Sequence, residues 1–272
     1  MAHHVVRQFH RIHVEHQKAR AKITLAYPAR RNAIGPQMTN ELLYALDDAL
    51  ADDDVRVIVL TGEGKTFCAG GDFAQMPGAG ESVRPPPVGD DPLPHKGDYA
   101  DLLLALLRSD KPVIARVNGH ALGGGLGLVA ACTFSVALKD AQLGTPEITV
   151  GLFPMMIMAI LARIVPRRRL LEMMLLGEKM DAPEAARIGL VGKVVDPGDL
   201  DETIREIESQ IVHKSPLIVR LGLRAFAAQE DLELERALPL MREHFARCLA
   251  TDDAREGLAA FLEKRDPKWT GR

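Results

Sequence analysis

The chain has 272 residues, of which 47% are hydrophobic and 26% charged, enough apolar material for a substantial globular core. Its formal net charge of −3 creates no field favouring a polyanion, so no nucleic acid partner is expected. The three cysteines, Cys68, Cys132 and Cys248, are widely spaced and lack a C-x-x-C pair, which argues against a disulfide framework or structural zinc and for a reducing, cytoplasmic compartment.

Residues 1–14 hold several histidines and arginines but no continuous apolar segment, so no secretory signal is expected. Alternating apolar residues in Ile12-His13-Val14 and over 21–26 predict two early strands, the second ending at Pro28. Behind Pro36, the residues Met38, Leu42, Leu43, Leu46 and Leu50 recur at helical spacing and predict a helix over 35–51. The β-branched run over 55–62 reads as a buried strand, and helix followed by such a strand suggests β/α crossovers. Residues 76–98 are rich in proline and glycine, including Pro85-Pro86-Pro87, and predict a mobile surface loop or lid.

A helix over 99–108 and a strand over 112–117 follow, then a helix opened by Gly123-Gly124-Gly125 and a strand over 134–138. The most apolar stretch, 151–165, contains Pro154 and Arg163 and falls short of the roughly 20 residues a bilayer-spanning helix needs, so no membrane partner is expected. Helical patterns then dominate, over 168–176, 183–188, 200–213, 217–230 and 253–264. The shift near residue 200 divides the chain into a core over 1–200 and a helical segment over 201–272 that packs on the core or on a neighbouring subunit.

Two glycine-rich turns follow strands: Thr66-Phe67-Cys68-Ala69-Gly70-Gly71-Asp72 and Asn118-Gly119-His120-Ala121-Leu122-Gly123-Gly124-Gly125. Glycine admits backbone conformations closed to other residues and lets a ligand approach the main chain. Each turn alone is explained as well by tight packing, and neither has the spacing of a phosphate-binding P-loop or a dinucleotide fingerprint. Side by side, however, two such turns could aim two N–H donors at one oxygen and stabilise a charge that appears only during reaction.

Taken together, these turns and the segments Arg31-Asn32-Ala33-Ile34, Gly144-Thr145-Pro146-Glu147-Ile148, Gly189-Leu190-Val191 and Ala250-Thr251-Asp252-Asp253-Ala254-Arg255-Glu256-Gly257 closely resemble the crotonase (enoyl-CoA hydratase/isomerase) superfamily over residues 10–265. The resemblance implies an α/β fold of repeated ββα units in a spiral, with C-terminal helices that make a homotrimer, often paired as a hexamer. It implies an acyl-CoA thioester substrate whose coenzyme A is part of the substrate, and no separate cofactor. By motif position the thioester oxygen falls between the N–H groups of Gly71 and Gly124, and coenzyme A meets Ala69, Gly71 and Asp72, with Arg31 near the phosphates. A lysine common two residues beyond the aspartate is replaced by Ala74.

Family hydratases carry two glutamates, one two residues after the triple glycine and one in the Pro-Glu motif, and together these activate water. Here the first position is Gly127 and the second is Glu147. Met155-Met156 also replace a glycine-rich turn whose backbone helps hold that water in hydratases. One carboxylate suffices to move a double bond, so the resemblance implies an enoyl-CoA isomerase with Glu147 as acid/base, the alternative being an enoyl-CoA hydratase or a CoA-binding subunit without turnover. His120 reads as a satisfied loop histidine and Met155, Met156 and Met158 as apolar filler around an acyl pocket. The Arg167-Arg168-Arg169 run reads as a solvated helix start. The N-terminal histidines lack a paired-ligand pattern, and no metal is expected.

Overall fold

A computed structural model describes residues 7–76 and 93–272. The loop expected over 76–98 therefore lies largely outside the described residues. Its described end is fastened to the core, because Asn40 Nδ2 donates to the carbonyls of Leu93 at 3.2 Å and Pro94 at 2.9 Å.

Period-two alternation builds the main sheet. β1 (Ile12–Gln17) and β2 (Arg20–Leu25) form an antiparallel hairpin, with Ala21, Ile23 and Leu25 of β2 buried. β3 (Val57–Gly62) is buried at every position, as a central strand covered on both faces should be. β5 (Val113–Val117), β7 (Phe134–Leu138) and β10 (Lys193–Val195) complete a six-stranded sheet of order β1-β2-β3-β5-β7-β10, parallel from β2 onward. Ile58 and Leu60 face the main core, beneath α1 (Pro36–Ala51) and α2 (Tyr99–Leu107), which bury Met38, Leu42, Leu102 and Leu106. Val57 and Val59 face the other way, where α7 (Leu200–Val212) covers them with Leu200 and Ile204.

Three of these strands turn into short strands of a second sheet, so that β3 leads to β4 (Thr66–Cys68), β5 to β6 (His120–Leu122) and β7 to β8 (Gln142–Gly144). With β9 (Lys179–Asp181) they form a sheet of order β4-β6-β8-β9, in which β4, β6 and β8 run parallel. α3 (Gly124–Ala131) follows β6 directly, giving the ββα unit expected. The turns are pinned by side-chain amides. Asn32 Nδ2 donates to Glu63 O at 2.9 Å and Thr66 O at 2.8 Å, and Asn118 Nδ2 donates to Gly62 O at 2.8 Å.

The apolar stretch after Pro154 is the helix α4 (Met155–Ile164), followed by α5 (Arg167–Leu176), whose arginine run does lie at its start, and by α6 (Ala182–Arg187). Among the described residues no helix is long and apolar enough to cross a membrane. α8 (Pro216–Gln229), α9 (Leu234–Leu249) and α10 (Asp252–Glu263) pack on one another. They leave Phe226, Leu238, Phe245 and Phe261 exposed. α9 lies outside the helical patterns predicted from the sequence and carries Pro239 within it, a residue that interrupts helix hydrogen bonding.

Buried Asp253 at the start of α10 latches the chain end. It accepts from Ser215 Oγ at 2.5 Å, Thr270 N at 2.7 Å and Gly271 N at 3.1 Å. Asp253→Ala would leave these donors without an acceptor and should destabilise the fold by about 3 kcal/mol, read as a lower urea midpoint at unchanged slope.

Candidate active site

Because β4, β6 and β8 are parallel neighbours, the turns that leave their carboxyl ends meet along one edge, where ligands of parallel sheets bind. The turn after β4 carries Gly70-Gly71, the turn after β6 carries Gly123-Gly124, and the turn after β8 carries Pro146-Glu147. They are tied together, since Gly123 N donates to Gly144 O at 2.9 Å.

Ile34 N donates to Gly70 O and Asp72 N donates to Ile34 O, both at 2.8 Å, a parallel bridge that pairs Ile34 with Gly71 through the flanking groups. In such a bridge the central residue's own N–H faces the other way, so Gly71 turns its N–H away from Ile34. Gly70, at φ 107°, makes the turn possible. Gly124 is the first residue of α3, and N–H groups at a helix start have no acceptor within the helix. Gly123 before it has φ 49° and ψ −124°, open in practice to glycine alone. Gly125 packs on Cys68, where an added Cβ would come within 2.6 Å of the cysteine Cβ. Burial pushes the Cys68 thiol up to about 12, so it stays protonated and packs as an apolar group.

Glu147 sits in a short 3₁₀ helix over Pro146–Val150. Its carboxylate reaches across to the second glycine turn, so closely that a Cβ on Gly123 would lie 2.6 Å from Oε1. Oε2 is buried and has no hydrogen-bond partner among the described residues. Burial raises the carboxyl above its ordinary value of 4.5, against a lowering by its own backbone N–H. A partly desolvated carboxylate with one idle oxygen is poised to exchange a proton with something in the cavity.

That cavity, of about 630 Å³, is walled by Gly71, Asp72, Gly124 and Glu147 together with Tyr99 and the apolar Phe153, Met155 and Met156. Of the residues expected at the site, Gly71, Asp72, Gly124 and Glu147 are thus brought together. Ala69 and Arg31 lie outside the cavity: Ala69 N donates to Arg31 O at 3.0 Å and the Arg31 side chain is exposed. It is Arg30, its neighbour, that pairs with buried Asp72, Nη2 to Oδ1 at 3.2 Å. Asp72 also accepts from Gln75 Nε2 at 2.7 Å. His120 accepts from Gln142 N at 3.0 Å through Nδ1 and does not line the cavity.

At Gly127, where the sequence departs from the hydratase pattern, the structure is closed. A Cβ on Gly127 would lie 2.3 Å from Ile157 Cγ2 and 2.5 Å from Tyr99 Oη, so no larger side chain fits there as the helices are packed. Met155 N donates to Phe153 O at 2.8 Å. Tyr99 is the residue at the site that sequence reasoning missed. No motif singles it out: in the sequence it is only the first residue of a predicted helix.

A second hollow of about 280 Å³ lies between Arg56, Lys111 and Arg220. Its cations are occupied: Lys111 Nζ donates to Ala49 O at 2.9 Å, Arg56 Nη2 to Lys214 O at 2.5 Å, and Arg220 faces Asp110 at 3.4 Å. No cluster of three or more side chains able to hold a metal ion occurs among the described residues.

The family model described as enoyl-CoA hydratase/isomerase matches residues 15–272. The chain is 34% identical over 262 residues to the 2,3-dehydroadipyl-CoA hydratase of Escherichia coli, covering 95% of this chain and 98% of that protein. It is 33% identical over 247 residues to the short-chain-enoyl-CoA hydratase of Clostridium acetobutylicum, covering 90% and 92%. The crystal structure of an enoyl-CoA hydratase from Mycobacterium smegmatis superimposes with a TM-score of 0.86 at 34% identity, covering 95% of this chain and 98% of that one. The fold is therefore that of the crotonases. The chain belongs to the enoyl-CoA hydratase/isomerase family of enzymes.

Proposed function

We propose that the protein moves the double bond of an enoyl-CoA, using Glu147 as the single proton carrier. Glu147 takes a proton from C2 of a 3-enoyl-CoA, and the C–H electron pair becomes the C1–C2 double bond of a dienolate. The N–H groups of Gly71 and Gly124 stabilise its oxyanion. The protonated carboxyl then returns the proton to C4, giving the 2-enoyl thioester and restoring the carboxylate. The observation that carries this reading is the closed space at Gly127, where neither a second carboxylate nor a larger side chain fits beside Tyr99 and Ile157. The bond from Met155 N to Phe153 O supports it further, because that N–H is then not offered to a water.

Phe153, Met155 and Met156 suit an apolar acyl chain, and Asp72 and Arg31 are proposed to meet the coenzyme A moiety, with Arg30 adjacent. The apolar side chains left exposed on α8, α9 and α10 are proposed to be covered in a homotrimer or hexamer. The free cysteines agree with a cytoplasmic setting.

Hydration of a 2-enoyl-CoA is the second reading, favoured by the hydratase names of the relatives. Matched 3-enoyl- and 2-enoyl-CoA substrates separate the two. Absorbance of the conjugated enoyl thioester should rise on isomerisation of the first. A fall with the second substrate, and no rise with the first, would replace isomerisation by hydration.

A further inference from the structure

Tyr99 lines the cavity that holds Glu147, and its hydroxyl lies close to Gly127. It opens α2, and its position is fixed by a capping box in which Asp98 Oδ1 accepts from Ala100 N at 2.8 Å and Asp101 N at 3.1 Å, while Asp101 Oδ2 accepts from Asp98 N at 2.8 Å. From there the ring reaches α3 and the hydroxyl donates to the carbonyl of Gly124. Gly127 lies three residues further along the same helix face. A side chain at 127 would enter the space that the Tyr99 hydroxyl fills, 2.5 Å from the position of its Cβ. Tyr99 thus lines the cavity with Glu147 and, through its hydroxyl, touches the start of α3. Burial first, then the neighbouring Cys68 and Glu147, push the phenol well above its ordinary value, so it remains a donor across the neutral range.

We propose that Tyr99 is a positioning and specificity residue: its bulk keeps a second carboxylate or an attacking water out of the space beside Gly127, and its hydroxyl clamps the Gly124 carbonyl so that the start of α3 holds its place against the substrate. This rests on the one-carboxylate reading above. It assigns to α2, which carries none of the family's glycine or glutamate motifs, the choice between returning a proton and adding water. Tyr99 moves no proton itself; it acts through Gly124 and through the volume it denies.

The two parts separate in two variants. Tyr99→Phe keeps the ring but not the clamp, so the product ratio should stay that of the wild type while kcat falls roughly 3- to 10-fold, the value of one ordinary hydrogen bond, with KM unchanged. Tyr99→Ala opens the space, and the share of 3-hydroxyacyl-CoA among the products should rise about tenfold or more. Tyr99→Leu replaces the alanine variant if the latter does not fold, as judged by circular dichroism. Products are resolved by chromatography after incubation with matched 3-enoyl- and 2-enoyl-CoA. A wild type that hydrates without isomerising sinks the one-carboxylate reading, and this inference with it. An isomerising wild type whose folded alanine or leucine variant keeps the original product ratio sinks this inference alone. So does a phenylalanine variant that works at full rate, or that shifts the ratio as far as alanine does.

Discussion

Glu147→Gln should leave acyl-CoA bound as tightly as before and reduce kcat by roughly 100- to 10,000-fold, the range a positioned acid/base group contributes. The amide is nearly isosteric with the carboxylate, so the close packing of residue 147 on Gly123 is kept. What is lost is the ability of the idle Oε2 to accept a proton. Exchange of the substrate's C2 proton with deuterated water should vanish in parallel, measured by mass spectrometry of recovered substrate. Binding is checked separately by calorimetry with a saturated acyl-CoA. Undiminished turnover would show that the base lies elsewhere in the cavity.

The same substitution carries a stability consequence of definite sign. Burial raises the Glu147 carboxyl above 4.5 in the folded chain. A group with a raised folded pKa favours folding only while it is protonated. Its contribution is complete below the unfolded pKa and is lost as pH rises through the folded one. Glutamine has no charge to desolvate, so the variant's Tm should exceed that of the wild type at pH 7, and the two should converge as pH falls below about 4. Wild-type kcat/KM should show an acid limb displaced above 4.5, since the carboxylate form starts the reaction. An active enzyme less stable than its inactive variant is what a carboxylate held half-desolvated for chemistry entails.

Much of this site was legible in the sequence, because its parts are backbone features that only particular residues permit. Gly70, Gly123 and the Pro146-Glu147 step mark turns with distinctive residues, and β3 and β5 announce themselves as β-branched runs. The strands that bring the turns together were not legible. β4, β6, β8 and β9 span three residues each, too few for a period to register. The guanidinium facing Asp72 is that of Arg30, and the adjacent Arg31 and Asn32 take left-handed backbone conformations, at φ 52° and 57°, that no count along the chain foretells. Gly127 could be seen as a missing carboxylate. That Tyr99 and Ile157 occupy the vacated space depends on how α2 and α4 pack on α3.

Replacing Gly124 by proline should lower kcat by about 100- to 1,000-fold, the loss typical of removing one oxyanion donor. The substitution is informative because of where Gly124 sits. It is the first residue of α3, the one helical position that proline suits, since the N–H there has no partner within the helix. An added Cβ would approach Tyr99 Oη at 3.4 Å and Ile34 Cδ1 at 3.6 Å, ordinary contacts that need little movement. The helix should therefore survive, with a far-ultraviolet spectrum and urea midpoint close to those of the wild type, while the proposed donor to the thioester oxygen is gone. Gly124→Ala is the control, because it adds the same Cβ and keeps the N–H, and it should retain most of the activity. If the alanine and proline variants lose activity equally, crowding against Tyr99 is responsible. If a folded proline variant turns over at the normal rate, the oxyanion is held by other groups and Gly124 serves only to start the helix.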